Sequence, residues 1–310
     1  MYIAGFGRSG STILGNVLGE VEGFFYVGEM NFVWEHNLME NRLCGCGVPF
    51  GECEVWGSVL QRAFGGIDGM DVREMVRLQS LGARTRHVPL MLFPWGRRML
   101  ASRLGGEYGY YLEKLYRAVR ETTGSRVIVD SSKSPSYGYV LGTAPGIDLY
   151  VVHLVRDPRA TAYSGLKKPR PDADERVYMD RVNTIKSSLL WDVWNASSEA
   201  LWKGSSGRYM RLRYEDFVEE PQRAVKAILG MLREDIYRLP FVGERDVELK
   251  VGHTVAGNPN RFQAGLVRIR ADDAWTSRMK FRDRTLVTLL TLPLLARYGY
   301  PFATGKAPVG

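Results

Sequence analysis

Short apolar runs recur along the chain and predict buried β-strands, because parallel strands that are covered on both faces are apolar almost throughout. The runs are rich in β-branched and aromatic side chains, which favour strands. Five of them occur, at Tyr2–Phe6, Phe24–Val27, Arg126–Val129, Leu149–Val155 and Arg208–Tyr214. The fifth run alternates between polar and apolar residues, so we expect it to lie nearer the edge of the sheet.

Helical periodicity fills much of the chain between these runs. Apolar residues recur at helical spacing in Ile13–Val21, Thr184–Leu201 and Pro221–Leu232, and residues from about 56 to 122 are mostly helix and loop. Alternation of strands and helices predicts an α/β fold, with a parallel sheet flanked by helices and a helical insertion. The sequence has no internal repeat and no Pro/Ser-rich linker, so we expect residues 1–310 to form a single domain.

The composition indicates the sign of the charge that a binding partner would carry. The 310 residues include 42 basic and 34 acidic side chains, a net charge of +8. This excess favours an anionic partner, which leaves nucleic acid, anionic lipid and phosphorylated small molecules open. No apolar run reaches the roughly 18 residues of a membrane span, so we expect no stable membrane insertion. The first residues lack the pattern of a signal peptide, which predicts a cytoplasmic protein.

The first predicted strand is followed by a glycine-rich string, Gly5–Thr12, that opens a helix. Such a turn directs backbone N–H groups and a helix N-terminus at an anion. One interpretation is a dinucleotide-binding turn, with Glu29 as the ribose-binding acid, although Arg8 would crowd the pyrophosphate. Another is a nucleotide-triphosphatase loop in which Ser11 replaces the lysine. The third is a cradle for a 5′-phosphosulfate.

A second motif follows the fourth predicted strand. Asp157 suits the cap of a helix and Pro158 its first turn, so Arg156 emerges at the carboxyl end of the strand. Open α/β sheets bind their ligands at that end. Ser164 lies about two helical turns further, on the same side as Arg156. A guanidinium and a hydroxyl so placed can hold one phosphate.

The two strings, about 150 residues apart, resemble those of sulfotransferases that use 3′-phosphoadenosine 5′-phosphosulfate (PAPS). The resemblance implies a P-loop-like α/β fold and a role for two groups of residues. The 5′-phosphosulfate would be held by Arg8, Ser9, Gly10, Ser11 and Thr12. The 3′-phosphate would be held by Arg156 and Ser164.

Two later segments extend the resemblance. Tyr214, in the string at 213–217, resembles the residue beside the adenine, and residues 257–262 resemble the loop that closes over the nucleotide. In the late loop Asn258 and Arg261 are the implied contacts, with His253 as a further partner. Arg8 stands where the animal cytosolic branch has lysine. The chain therefore resembles the bacterial small-molecule branch and the carbohydrate or tyrosyl-protein branches more closely.

Transfer of a sulfuryl group to a hydroxyl requires a base for the proton and cations for the oxygens that gain charge. Glu29 follows the second predicted strand and resembles the catalytic base of the branches that have a Gly-Glu pair there. Lys133 follows the third strand, and the resemblance implies that it and Arg8 stabilise the developing charge. The transferred group carries a single negative charge, so we predict no metal.

The acceptor is expected to be a hydroxyl of a small molecule, a lipid or a carbohydrate. The apolar stretch Val88–Trp95 is either a lid over that acceptor or a buried loop of the insertion. Two other functions remain open at this stage. They are an ATP-dependent small-molecule kinase with a degenerate P-loop, and a basic nucleic-acid-binding protein without enzymatic activity.

The three cysteines lie close together in the sequence, at Cys44, Cys46 and Cys53. They could bind zinc with a fourth ligand such as His36, but the spacing lacks the paired thiols of a typical zinc site. Packing of a small loop is the favoured interpretation. His153 lies inside a predicted buried strand and is expected to be a core histidine with its hydrogen bonds satisfied.

Overall fold

A computed structural model describes residues 1–81, 83–104, 106–166, 182–235 and 238–302. Its centre is a sheet of five parallel strands in the order β2-β3-β1-β4-β5. The strands are β1 (Tyr2–Gly5), β2 (Phe24–Gly28), β3 (Val127–Lys133), β4 (Val151–Val155) and β5 (Tyr209–Arg213). All five predicted strands are confirmed, and β5 lies at the edge as its alternating pattern indicated.

Helices connect the strands, and a separate antiparallel pair is formed by β6 (Asp246–Leu249) and β7 (Gly265–Arg268). The α-helices are α1 (Ser11–Gly19), α2 (Glu54–Phe64), α3 (Val72–Ser80), α4 (Pro94–Leu104), α5 (Glu107–Thr123), α6 (Pro135–Leu141), α7 (Pro158–Leu166), α8 (Thr184–Trp202), α9 (Tyr214–Glu219), α10 (Pro221–Leu232), α11 (Trp275–Arg278), α12 (Phe281–Leu290) and α13 (Leu292–Arg297). Shorter turns are the 3₁₀ helices Met30–Phe32, Phe50–Glu52, Ile67–Gly69, Thr85–Leu92 and Pro259–Phe262, and the π-helix Val33–Met39. The predicted parallel α/β fold is therefore confirmed.

Both faces of the sheet are buried, which explains the continuous apolar runs. Successive strand residues point to opposite faces. Tyr2 packs in one core with Trp34, on the side of α2, α5 and α6, whereas Ile3 packs in the other core with Leu14, on the side of α1 and α10. Within β4, His153 is fully buried, and its ring nitrogens lie 2.9 Å from the Tyr209 hydroxyl and 2.8 Å from Asn195 Oδ1. The expectation of a satisfied core histidine is confirmed.

The third strand is longer than its apolar run predicts. Beyond Val129 the polar residues of β3 stay paired with β1, with Tyr2 opposite Asp130 and Ala4 opposite Lys133. These polar residues are buried. Lys133 therefore ends a strand and does not lie in a solvated turn.

The segment between β2 and β3 is largely helical, as predicted, and carries α2 to α5. It is attached to the core through residues just after β2. Trp34 is fully buried, and its indole N–H donates to the Tyr108 hydroxyl of α5 at 3.1 Å. Among the described residues, no helix combines the length and the apolar character that a membrane crossing requires.

Candidate active site

A cleft of about 560 Å³ opens at the carboxyl edge of the parallel sheet. Thirteen residues were predicted to form the site, and ten of them line this cleft: Arg8, Gly10, Ser11, Thr12, Glu29, Lys133, Arg156, Ser164, Tyr214 and Asn258. Parallel strands place their carboxyl ends on one edge, so loops distant in sequence meet there. The other three predicted residues, Ser9, His253 and Arg261, are not among those that line the cleft.

The first loop has the backbone that its glycines predict. Gly10 has φ 86° and caps α1, and a Cβ atom there would lie 2.4 Å from Cδ2 of Tyr214. Arg8 also has a positive φ, 66°, which is uncommon for a residue with a side chain. The first turn of α1 carries no acidic residue. The N-terminal end of α1 therefore borders the cleft, and no acidic residue of its own first turn offsets its partial positive charge.

Arg156 joins three parts of the cleft wall. Its Nη1 donates to the Arg8 carbonyl at 3.0 Å, and its Nη2 donates to the Asp272 carbonyl at 2.7 Å. The same Nη2 lies 3.2 Å from Oδ2 of Asp272. The guanidinium also stacks over the Tyr214 ring, 4.5 Å from its centroid. The second motif is thus in contact with the first loop.

Glu29 and Lys133 form an ion pair inside the cleft. Oε1 of Glu29 is 2.6 Å from Nζ of Lys133, and both side chains are largely buried. Lys133 Nζ also donates to the Ser131 carbonyl at 2.8 Å. Lys133 has φ 65°, so two of the four described non-glycine residues with positive φ are the cations predicted to act in catalysis. Such strained backbone is common at active sites.

The buried carboxylate of Asp130 lies in the same strand as Lys133 and has several hydrogen-bond partners. Asp130 Oδ1 accepts from the backbone N–H and the hydroxyl of Ser132, at 2.7 and 2.6 Å, and Oδ2 accepts from the Tyr116 hydroxyl. Ser132 Oγ in turn accepts from the Asn31 N–H at 2.9 Å. Burial raises the pKa of Asp130, while the hydrogen bonds from Ser132 and Tyr116 oppose that rise. The network fixes the chain after Glu29 relative to β3.

The charge of the cleft is predominantly positive. Five cationic and two acidic side chains line it: Arg8, Lys133, Arg156, Arg268 and Arg270, with Glu29 and Asp272. Burial lowers the pKa of Arg8 from its ordinary value, and the Glu29 carboxylate opposes that shift. An anionic ligand would therefore be attracted to the cleft.

Only part of the late segment reaches the cleft. Asn258 lines it together with Pro259 and Asn260. Arg261 is buried, and its Nη1 donates to the carbonyls of Leu43 at 3.0 Å and Thr254 at 3.3 Å. His253 lies with its Nδ1 3.3 Å from the sulfur of Cys53. Arg261 and His253, which were predicted to contact the nucleotide, thus contact other residues of the protein outside the cleft.

The sequence missed the other wall of the cleft. This wall carries Arg268, Arg270 and Asp272, with Val267 and Ile269 between them. β7 ends at Arg268, so most of this wall lies beyond the strand, and no motif in the sequence marked it. The stretch Val88–Trp95 does not line the cleft, and within it Val88 and Met91 are buried whereas Phe93 and Trp95 are about half exposed.

Comparisons with known proteins agree with this geometry. Residues 97–237 match the model of a family described as "Sulfotransferase family". No curated protein matches the chain. Two solved structures are similar in fold. A sulfotransferase domain from the curacin biosynthetic pathway has 15% identity, a TM-score of 0.52 and coverage of 97% of each chain. A sulfotransferase domain from the Synechococcus PCC 7002 olefin synthase has 18% identity, a TM-score of 0.53 and coverage of 97% of this chain and 94% of the other.

The family match and the first loop are separate sources for one conclusion. The matched range contains Lys133, Arg156, Ser164 and Tyr214 but does not include the loop at residues 5–12. Both sets of residues nevertheless line the same cleft, in a fold shared with two sulfotransferase domains. The resemblance found in the motifs is confirmed by the match of residues 97–237 to the sulfotransferase family model.

Proposed function

We propose that the protein transfers the sulfuryl group of PAPS to a hydroxyl of a small-molecule, lipid or carbohydrate acceptor, with Glu29 as the general base. The observation that carries the proposal is the meeting of three parts in one cleft. These parts are the glycine loop at residues 5–12, the Arg156–Ser164 motif and the Glu29–Lys133 ion pair.

The walls of the cleft suit a donor with phosphate at two places. The N-terminal end of α1, with Ser11 and Thr12, would hold the 5′-phosphosulfate, while Arg156 and Ser164 would hold the 3′-phosphate. A buried polar atom supports this fit, because Nε of Arg156 has no hydrogen-bond partner among the described residues. The guanidinium of Arg156 thus retains donor capacity, and buried donors are costly to leave unpaired.

The nucleotide base would lie against Tyr214, whose ring already stacks on Arg156. Apolar side chains of Ile13, Val218 and Ile269 line the same cleft and would cover a planar base. Asn258 would close this part of the site from the late segment. This assignment makes Tyr214 a binding residue that also orients Arg156.

The bound donor supplies a sulfuryl group on a phosphate leaving group, and Glu29 and Lys133 supply the proton transfer and charge stabilisation. Glu29 would accept the proton of the acceptor hydroxyl, a role worth roughly 10²–10⁴-fold in rate. Lys133, 2.6 Å from Glu29, would stabilise oxygens that gain negative charge, as would Arg8.

The acceptor would enter between Glu29 and the helical insertion. Asn31, two residues after Glu29, is held by Gln79 of α3, whose Nε2 donates to its carbonyl at 2.6 Å and its Oδ1 at 2.8 Å. The insertion thus borders the Glu29 side of the cleft. Substitutions in α2 to α5 would accordingly change which acceptor is used and would leave the donor site unaffected.

The assignment is tested by calorimetry with 3′-phosphoadenosine 5′-phosphate (PAP) and, separately, with ATP and Mg²⁺. The wild type should bind PAP and should bind ATP more weakly. Arg156→Ala should lose most of the PAP affinity, because it removes a charge-assisted contact worth about 1.5–3 kcal/mol, or roughly 10–150-fold.

Arg223→Ala is the matched control, since the Arg223 side chain is 81% exposed and outside the cleft. It should bind PAP as the wild type does. Failure of the wild type to bind PAP would contradict the donor assignment. Preference for ATP with a requirement for Mg²⁺ would favour the kinase alternative instead.

A further inference from the structure

The three cysteines and one histidine form a compact cluster away from the proposed catalytic pair. One ligand atom of each of Cys44, Cys46, Cys53 and His253 lies within 4.8 Å of all the others. The sulfurs of Cys46 and Cys53 are 3.8 Å apart, and Nδ1 of His253 is 3.3 Å from the sulfur of Cys53. None of the four lines the cleft.

These separations agree with a single tetrahedral ion. Zinc–sulfur bonds of about 2.3 Å and zinc–nitrogen bonds of about 2.0–2.1 Å place two sulfurs about 3.8 Å apart and a sulfur and a nitrogen about 3.6 Å apart. A disulfide between Cys46 and Cys53 would require a sulfur–sulfur distance of about 2.05 Å. All three cysteines have free thiols in the structure.

We propose that Cys44, Cys46, Cys53 and His253 bind one structural zinc ion. Three thiolates and one imidazole are a common ligand set for structural zinc. Four protein ligands complete a tetrahedron and leave no position for water or substrate, so the ion takes no part in the transfer reaction. The sequence had suggested His36 as the fourth ligand, and the structure shows why His253 was missed. It lies 200 residues from Cys53 along the chain.

The backbone around the cluster is arranged to bring these residues together. Gly45 lies so close to the late segment that a Cβ atom there would be 2.3 Å from Oγ1 and 2.7 Å from N of Thr254. Its own N–H donates to the Thr254 carbonyl at 2.9 Å. The indole N–H of Trp56 donates to the His253 carbonyl at 2.8 Å. Both contacts hold His253 against the cysteine loop independently of any ion.

The zinc ion would join the cysteine loop to the strand that precedes Glu29. Next to His253, the N–H of Val255 donates to the carbonyl of Val27 at 2.8 Å, and Gly28 pairs with Val255. A Cβ atom on Gly257 would be 3.5 Å from Oε1 of Glu29. We therefore expect loss of the ion to loosen the late segment and the position of Glu29 together, with the first loop unaffected.

The test is the zinc content of the full-length protein, purified without chelators after growth with added zinc and measured by elemental mass spectrometry. The wild type should contain about one zinc per chain. Cys46→Ser and His253→Gln should lose most of it, and these two residues are chosen because they are only partly buried. His36→Gln, the alternative ligand from the sequence, should retain the wild-type content.

Cobalt provides a second measurement on the wild type, in case the variants fail to fold. Protein from which the metal has been removed, then titrated with Co²⁺ alone, should show the visible bands of a tetrahedral cobalt–thiolate centre and should saturate at about one equivalent. Absence of zinc from the wild type together with absence of these bands would overturn the proposal. So would a Cys46–Cys53 disulfide in the purified protein, or zinc that persists in both ligand variants.

The result of the zinc test does not depend on whether PAPS is the donor. Zinc content and the cobalt spectrum are measured without nucleotide, so a failure to bind PAP would leave them unchanged. Conversely, the His36→Gln control distinguishes specific loss of a ligand from general disturbance of the loop.

Discussion

The first loop and the late segment were both predicted to bind the nucleotide, yet they are built in different ways. The loop at residues 5–12 is shaped by its own sequence, because a strand, glycines with positive φ and a helix follow one another directly. The segment at 252–262 is positioned by residues far away in sequence, including Leu43 and Cys53. A local motif therefore predicts where its side chains point, and a segment held by distant partners does not.

Glu29 lies where the two regions meet, and its substitution should have the largest effect. Glu29→Gln keeps the size of the side chain but removes the base, so we expect turnover to fall roughly 10²–10⁴-fold. Affinity for PAP, measured by calorimetry, should stay within a few-fold of the wild type. Glu35→Gln is the control, because Glu35 follows in the next turns and does not line the cleft. Normal turnover in Glu29→Gln would move the role of base to another residue.

Gly10 tests the claim that the first loop depends on its own backbone. In Gly10→Ala the new Cβ atom would meet the Tyr214 ring at 2.4 Å in a backbone of φ 86°. Because Tyr214 stacks on Arg156, we expect PAP affinity to fall about 5–150-fold, from a strain of about 1–3 kcal/mol. Gly230→Ala is the matched control, since a Cβ atom there meets nothing within 4 Å and the residue does not line the cleft. Equal affinities in the two variants would contradict the local explanation.

Substitutions of Arg8 in the first loop and Arg261 in the late segment should affect different properties, nucleotide binding and stability respectively. Arg261→Met removes a donor from the buried carbonyls of Leu43 and Thr254, so we expect the free energy of unfolding to fall by about 1–3 kcal/mol. PAP affinity of the folded protein should change little. Arg8→Met should do the reverse, with weaker PAP binding and nearly unchanged stability.

Denaturant unfolding and calorimetry on the same preparations measure both quantities for this pair. A large loss of PAP affinity in a fully folded Arg261→Met variant would return Arg261 to the nucleotide site that its motif predicted.

The sequence predicted best the residues that lie at the ends of the buried strands. The apolar runs predicted five strands because both faces of the sheet are covered, and strand-end positions placed Glu29, Lys133 and Arg156 at one edge. The third strand continues through Lys133, beyond its predicted end at Val129, because Asp130 has hydrogen-bond partners within the core. Hydropathy alone cannot show such partners.

The remaining failures concern contacts between distant segments. His253 was assigned to the nucleotide, although the space left by Gly45 and the hydrogen bond from Trp56 hold it beside Cys53. Arg268 and Arg270 were missed since no motif marks the segment that carries them. In each case the deciding partner lies far along the chain, and one sequence without a structure does not reveal the pairing.

Asp272 tests the wall that the sequence missed and should have the smallest effect. Its carboxylate lies 3.2 Å from Nη2 of Arg156, so the 3′-phosphate would compete with it for the guanidinium. Asp272→Asn removes that competition and should strengthen PAP binding up to about fivefold, since half-exposed ion pairs are worth about 0.2–1 kcal/mol. The gain should shrink as salt is added. Asp273→Asn, one residue away and outside the cleft lining, is the control. Weaker binding in Asp272→Asn would mean that the carboxylate orients Arg156 for the phosphate and does not compete with it.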